Sequence, residues 1–184
     1  MTKSETEIAR NQLIEDVLGS YLDALTAVRE FQKTIIERSR RALEEKLNDL
    51  SKAMGFDVKR EEIKDYTYPS ELTNKELGVY ESVGIKFSKE VMYYCIFGLS
   101  FEREDLKCVT EVFVSMAPGK ASQRDFLLEH CKKVSTDFVN DNWNDICLSM
   151  PISKDEINNF EAKLQELIGK WIEVWKKVGG IKKL

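Results

Sequence analysis

Residues 91–116, VMYYCIFGLSFEREDLKCVTEVFVSM, contain an apolar residue at nearly every second position. One such row runs from Val91 to Phe101 and another from Leu106 to Met116, on either side of a charged break at residues 102–105. A period of two is typical of half-buried strands, so the stretch predicts an antiparallel hairpin. Closure at the break is expected to bring Leu99 near Cys108 and to place the apolar rows of both strands on one face. On the opposite face lies a second apolar group, which either another helix or a partner protein covers: Met92, Tyr94, Ile96, Val109 and Phe113.

The same alternation precedes the hairpin, in a row that runs from Leu77 to Phe87. A turn at residues 88–89 would bring Phe87 near Val91, which predicts a three-stranded antiparallel meander. Glu81 is the one charged residue of that row. We expect a bulge at residues 82–84 to turn it outward. The alternative is a buried carboxylate with a raised pKa and acid–base capacity.

The chain after residue 116 alternates between helix and strand patterns. A helix is expected over Ser122–Val139, a fourth strand over Trp143–Ile152 and a closing helix over Ser153–Val178. Ser153 and Glu156 have the spacing of a capping box. Trp171 and Trp175 share one face of the closing helix, where they either pack in the core or contact a partner.

The first part of the chain has the pattern of one long helix, from Ser4 to Met54. Its apolar residues recur at spacings of three and four, which favours packing along a seam, as in a coiled coil. At about 1.5 Å per residue, an unbroken helix would be roughly 75 Å long, so part of it must project, bend or bind a partner. The seam begins with Ile14, Leu18, Tyr21, Leu25, Val28 and Ile35, and continues in a shifted phase with Leu43, Leu47, Leu50 and Met54.

These patterns predict an α+β protein. It has a long N-terminal helix, a three-stranded antiparallel meander with a fourth strand, and two further helices packed on the sheet. Residues 1–55 are expected to form the helix or helical extension, and residues 56–184 the α+β domain, together as one structural unit. Residues 57–75 are expected to form a long loop.

Composition limits the classes of function. The 184 residues carry a formal net charge of −4, which argues against a protein that is mainly a nucleic-acid binder. No apolar run is long enough to span a bilayer, so we expect a cytoplasmic protein without membrane contact. The four cysteines are widely spaced and His130 is the only histidine, so we expect reduced core thiols, no metal site and no cofactor.

Two motifs resemble chemical sites without matching them. Residues 114–122, VSMAPGKAS, lie between a strand and a helix but lack the first glycine and the magnesium-binding hydroxyl of a phosphate-binding loop. Ser122 is expected to cap the helix, and Lys120 is a candidate anion contact. Residues 37–41, ERSRR, interrupt the apolar seam and form either a solvated bridge or an anion contact.

The sequence therefore offers extensive apolar helix surface and no recognisable set of catalytic residues. The leading hypothesis is a non-enzymatic adaptor or regulatory protein that binds itself, as a homodimer, or a larger protein partner. Its expected contact residues are Leu18, Leu25, Tyr94, Ile96, Phe113, Trp171 and Trp175. The alternative is a nucleic-acid-associated accessory or metal-dependent, nuclease-like protein that uses sheet carboxylates together with Arg38, Arg40, Arg41 and Lys120.

Overall fold

The long N-terminal helix belongs to two units of the chain. The computed structural model describes residues 3–68, 78–87, 92–104, 107–140 and 145–184, with side chains for 7–65, 81–87, 97–99, 111–140, 145–153 and 155–184. The units are Met1–Thr34 and Ile35–Leu184. Helix α1 (Lys3–Met54) forms the first unit and begins the second. The division thus falls inside the helix, whereas the sequence analysis placed it at residue 55.

The second unit is built on an antiparallel sheet, which confirms the α+β class. The same unit contains two further helices, α2 (Ala121–Lys132) and α3 (Phe160–Val178). The strand order is β1-β2-β3-β4-β6-β5, and each neighbouring pair is antiparallel. The strands are β1 (Ile63–Tyr68), β2 (Gly78–Lys86), β3 (Met92–Glu104), β4 (Lys107–Pro118), β5 (Val139–Asn140) and β6 (Ile146–Pro151).

The predicted meander is present as β2, β3 and β4, but its register differs from the expected one. Leu99 pairs with Val112, and Cys108 pairs with Arg103, because the ladder continues to Glu104 and Lys107. The expected proximity of Leu99 and Cys108 is therefore wrong. The shift moves the pairing by an even number of residues, so the apolar rows still share a face. The expected contact of Phe87 with Val91 lies outside the described residues.

Two strands were absent from the sequence prediction. Strand β1 lies within the predicted loop at residues 57–75 and pairs with β2 alone. Ile63 is its buried apolar residue, so a polar strand of this kind shows little alternation. Strand β5 has two residues and lies at the opposite end of the strand order.

Helix α2 is shorter than the expected Ser122–Val139. Its N-cap is Lys120 rather than Ser122, and the helix ends at Lys132. Phe138 is buried as its pattern predicted, but it follows the helix, where the chain enters β5. The predicted strand over Trp143–Ile152 is observed as β6, and residues 141–144 lie outside the described part of the chain.

The expected bulge at residues 82–84 is wrong, and Glu81 points inward. Its side chain is buried, and residues 81–83 pair with 99, 98 and 97 in unbroken succession. Glu81 lies in the same cross-strand row as Leu99 and Val112, which are core residues. Regular pairing therefore turns this side chain inward instead of outward.

The core of the second unit joins α1, α3 and the sheet. Ile35, Leu43 and Leu50 of α1 are buried together with the inner face of α3. Helix α3 lies against β3, β4 and β6. Glycines with positive φ follow helices α1 and α3, namely Gly55 at φ 62° and Gly179 at φ 85°, a conformation that commonly ends a helix.

The predicted capping box is present in the segment that leads into α3. It makes the stability of the fold depend on pH. Glu156 accepts hydrogen bonds from Lys163 Nζ at 2.9 Å and from the Ser153 amide and hydroxyl at 3.0 and 2.9 Å. The lysine first, and then the serine, lower the pKa of Glu156 from 4.5 to about 2. A lowered pKa stabilises the fold above the unfolded-state value, and this contribution disappears as the pH falls through the folded-state value.

We expect Glu156→Gln to be less stable than the parent protein at pH 7. The difference should shrink between pH 4.5 and about 2, where the parent carboxylate becomes protonated. Urea unfolding at a series of pH values measures it. A difference that stays constant down to pH 2 would contradict this role for the carboxylate.

Candidate interaction surface

The first unit carries a series of exposed large apolar side chains. The exposed fractions of Ile8, Leu13 and Val17 are 66%, 64% and 61%, and that of Leu18 is 51%. The same surface includes Ile14, Tyr21, Leu22, Val28 and Phe31. This unit consists of one helix, and these side chains are exposed on its surface. We call this set, together with the half-buried Leu25, the apolar face of α1.

The apolar face follows a seven-residue repeat. Leu18 and Leu25 occupy position a, and Ile14, Tyr21 and Val28 occupy position d. Val17 and Phe31 at position g and Leu22 at position e widen the seam on both sides. The resulting face covers about half of the helix circumference, which is wider than a seam of a and d residues alone. Sequence analysis identified the seam and missed the flanking residues, although the same periodicity contains them.

The polar side of the helix has local partners. Gln12 donates to Asp16 at 3.1 Å, and the hydroxyls of Thr26 and Thr34 donate to carbonyl oxygens one turn earlier. Acidic residues occupy position f, opposite the seam: Asp16, Asp23 and Glu30. The helix of the first unit is therefore polar and solvated on one side and apolar on the other.

Three of the other predicted contact residues are buried in the second unit. Phe113 is 6% exposed, and the side chains of Trp171 and Trp175 are fully buried. Phe138 packs edge-on against Trp171, with ring centroids 4.9 Å apart. These three residues contribute to the interior of the second unit and offer no surface to a partner. The side chains of Tyr94 and Ile96 lie outside the described ones.

The arginine cluster makes contacts within the second unit. Arg38 donates to the Asn158 carbonyl oxygen at 3.0 Å, and its guanidinium lies 5.4 Å from the centre of the Phe160 ring. Arg38 and Arg41 both pair with Glu161, at 3.4 and 2.8 Å. These contacts tie α1 to the start of α3, so the apolar seam is interrupted by a structural bridge.

Arg40 points to a different element. It donates to the Ile63 carbonyl oxygen at 3.0 Å and pairs with Asp65, so it joins α1 to β1. Lys120 is exposed at the start of α2, whereas the arginines contact β1 and α3. The predicted nucleic-acid residues therefore do not form a shared phosphate-binding geometry, and no observation favours that alternative.

The described side chains show no metal-binding arrangement, because no group of three His, Cys, Asp or Glu residues among them can hold a metal ion. Cys131 is a buried thiol, and burial raises its pKa. The His130 ring contacts the Phe126 ring at an interplanar angle of 42°. Its Nδ1 atom lies 2.9 Å from the Phe126 carbonyl oxygen.

Comparison of the chain with protein-family models, with curated proteins and with solved structures finds no match. Among the described residues, no helix has the length and apolarity needed to cross a bilayer. Among the described residues, the apolar face of α1 is thus the candidate interaction surface.

Proposed function

We propose that this protein is a non-enzymatic interaction protein that self-associates through the apolar face of α1. The observation that carries the proposal is the continuous row of exposed apolar side chains from Ile8 to Phe31. The role that fits best is that of an adaptor or regulator, in which the helix assembles copies that each carry the α+β unit.

Helix energetics support this role. Lone helices are marginally stable in water, and most helical stability in proteins comes from packing an apolar face. In the first unit the large side chains of that face are exposed from Ile8 to Val28, apart from the half-buried Leu25. Burying each leucine of the face stabilises an assembly by about 1.5–3 kcal/mol. Association therefore supplies the packing that this helix lacks.

Replacing two seam leucines tests the proposal. We expect Leu18→Lys with Leu25→Lys to weaken association at least about 100-fold, since two buried side chains of about 1.5–3 kcal/mol each are lost. Light scattering over a concentration series measures the mass of both proteins. The far-ultraviolet signal of the α+β unit should persist, because both positions lie outside it.

Gln12→Lys with Thr26→Lys is the matched control. These exposed positions are both at heptad position b, on the side of the helix away from the apolar face. The control adds the same charge and is expected to keep the parent mass. A parent protein that is monomeric at all concentrations, or equal loss of mass in both variants, would contradict the proposal.

A further inference from the structure

The seam of α1 contains polar residues at both ends. Asn11 and Gln32 occupy position a, and between them the a and d positions hold Ile14, Leu18, Tyr21, Leu25 and Val28. In a parallel bundle without stagger, each a residue meets the same residue of the neighbouring copy, so amides meet amides. In an antiparallel bundle a residues meet d residues. The antiparallel alignments that keep Leu18 and Leu25 opposite apolar d residues set either Asn11 against Val28 or Gln32 against Ile14, so an amide would be buried beside an aliphatic side chain.

The flanking charges favour the same orientation. Arg10 at position g and Glu15 at position e are both exposed. In a parallel bundle, a g residue lies beside the e residue five positions later on the neighbouring copy, so Arg10 meets Glu15. The next such pair, Val17 and Leu22, is apolar on both sides. Two successive pairs of this flank are thus matched, one by opposite charge and one by apolar character, and the pair that follows sets Ala24 beside Arg29.

The width of the face indicates more than two helices. A two-helix seam covers positions a and d and would leave Val17, Leu22 and Phe31 largely in water. In a bundle of three or four helices, positions e and g are also covered. Leucine at position a with isoleucine at d shifts preference in the same direction. Leu18 and Leu25 at a, with Ile14 at d, follow that rule, and the other d positions of the seam hold Tyr21 and Val28.

We infer that the occupant of the apolar face is a further copy of this chain, in a parallel, unstaggered bundle of three or four helices. The juxtaposition that carries this inference is that of Arg10 with Glu15 of the neighbouring copy. It lies next to the level of the bundle at which the Asn11 side chains of the copies meet. The inference rests on the proposed function and adds the orientation and number of copies.

The first test is the mass of the full-length protein at saturating concentration. Light scattering is expected to give three or four times the chain mass of 21.3 kDa. A mass of two chains would overturn this inference and leave the proposed self-association standing. A monomer at all concentrations would overturn both.

The second test exchanges the flanking charges. Arg10→Glu and Glu15→Arg are each expected to weaken association about tenfold, because each places like charges side by side in every copy. The double variant, with both changes, is expected to return to within about twofold of the parent, since opposite charges meet again. Asp23→Lys, at position f on the outside of the helix, is the control and is expected to change association by less than about twofold.

An antiparallel bundle gives a different result. There g residues meet g residues and e residues meet e residues, so Arg10 and Glu15 of different copies do not meet. Failure of the double variant to recover association would therefore overturn the parallel arrangement, even if the mass is that of three or four chains.

Discussion

Gly98→Ala is expected to lower the free energy of unfolding by about 3 kcal/mol or more, the upper range for inserting atoms into a packed core. Gly98 lies in β3 opposite Ser82 of β2. An added Cβ would contact the Glu81 carbonyl oxygen and lie 2.5 Å from Ser82 Cβ and 2.6 Å from Ser82 Cα. Two of these three atoms belong to the backbone, so a change of side-chain rotamer cannot relieve the overlap.

Gly169→Ala in α3 is the control for that change. Nothing lies within 4 Å of an added Cβ there, and alanine favours a helix over glycine by about 0.5–1 kcal/mol. We expect this variant to be slightly more stable than the parent in urea unfolding. A Gly98→Ala protein as stable as the parent would show that β2 and β3 do not approach each other as closely as described.

Trp171→Ala is expected to lower the free energy of unfolding by about 3–5 kcal/mol, the usual cost of removing a buried tryptophan. The Trp171 side chain is fully buried, and its ring meets Phe138 at an interplanar angle of 80°. The substitution removes this edge-to-face contact and leaves a cavity between α3 and the segment that precedes β5.

Trp171→Phe separates the loss of packing from the loss of the indole nitrogen. The Trp171 Nε1 atom makes no hydrogen bond with the described residues. Phenylalanine should therefore restore much of the stability, since only part of the ring volume is missing. Wild-type stability in Trp171→Ala, together with weaker association, would place the side chain at an interface and contradict its burial.

The sheet was predictable where one row of side chains is buried. Phe97, Leu99, Val112 and Val114 lie in the core and alternate with other residues, so periodicity identified both strands and their shared face. The exact register depends on the turn, which alternation does not specify, so the Leu99 pairing was wrong. Strand β1 was missed because its sequence, IKDYTY, lies at an edge of the sheet and carries little periodic signal.

The candidate surface was predictable only in part. Leu18 and Trp171 both lie on regular apolar helix faces, and periodicity cannot tell whether the same chain covers such a face. Tertiary contacts bury Trp171, whereas Leu18 is 51% exposed. The arginines were equally ambiguous, because charge alone does not reveal that Arg38 and Arg41 share Glu161 from a distant part of the sequence.

Hydrogen exchange of the backbone amides over a dilution series tests the central claim most directly. If other copies cover the apolar face of α1, protection over residues 8–31 should rise with protein concentration, while protection of β4 stays constant. Strong protection of these helix amides is expected when the protein is concentrated, and near-complete loss of it on dilution. Protection of residues 8–31 that is the same at every concentration would contradict it.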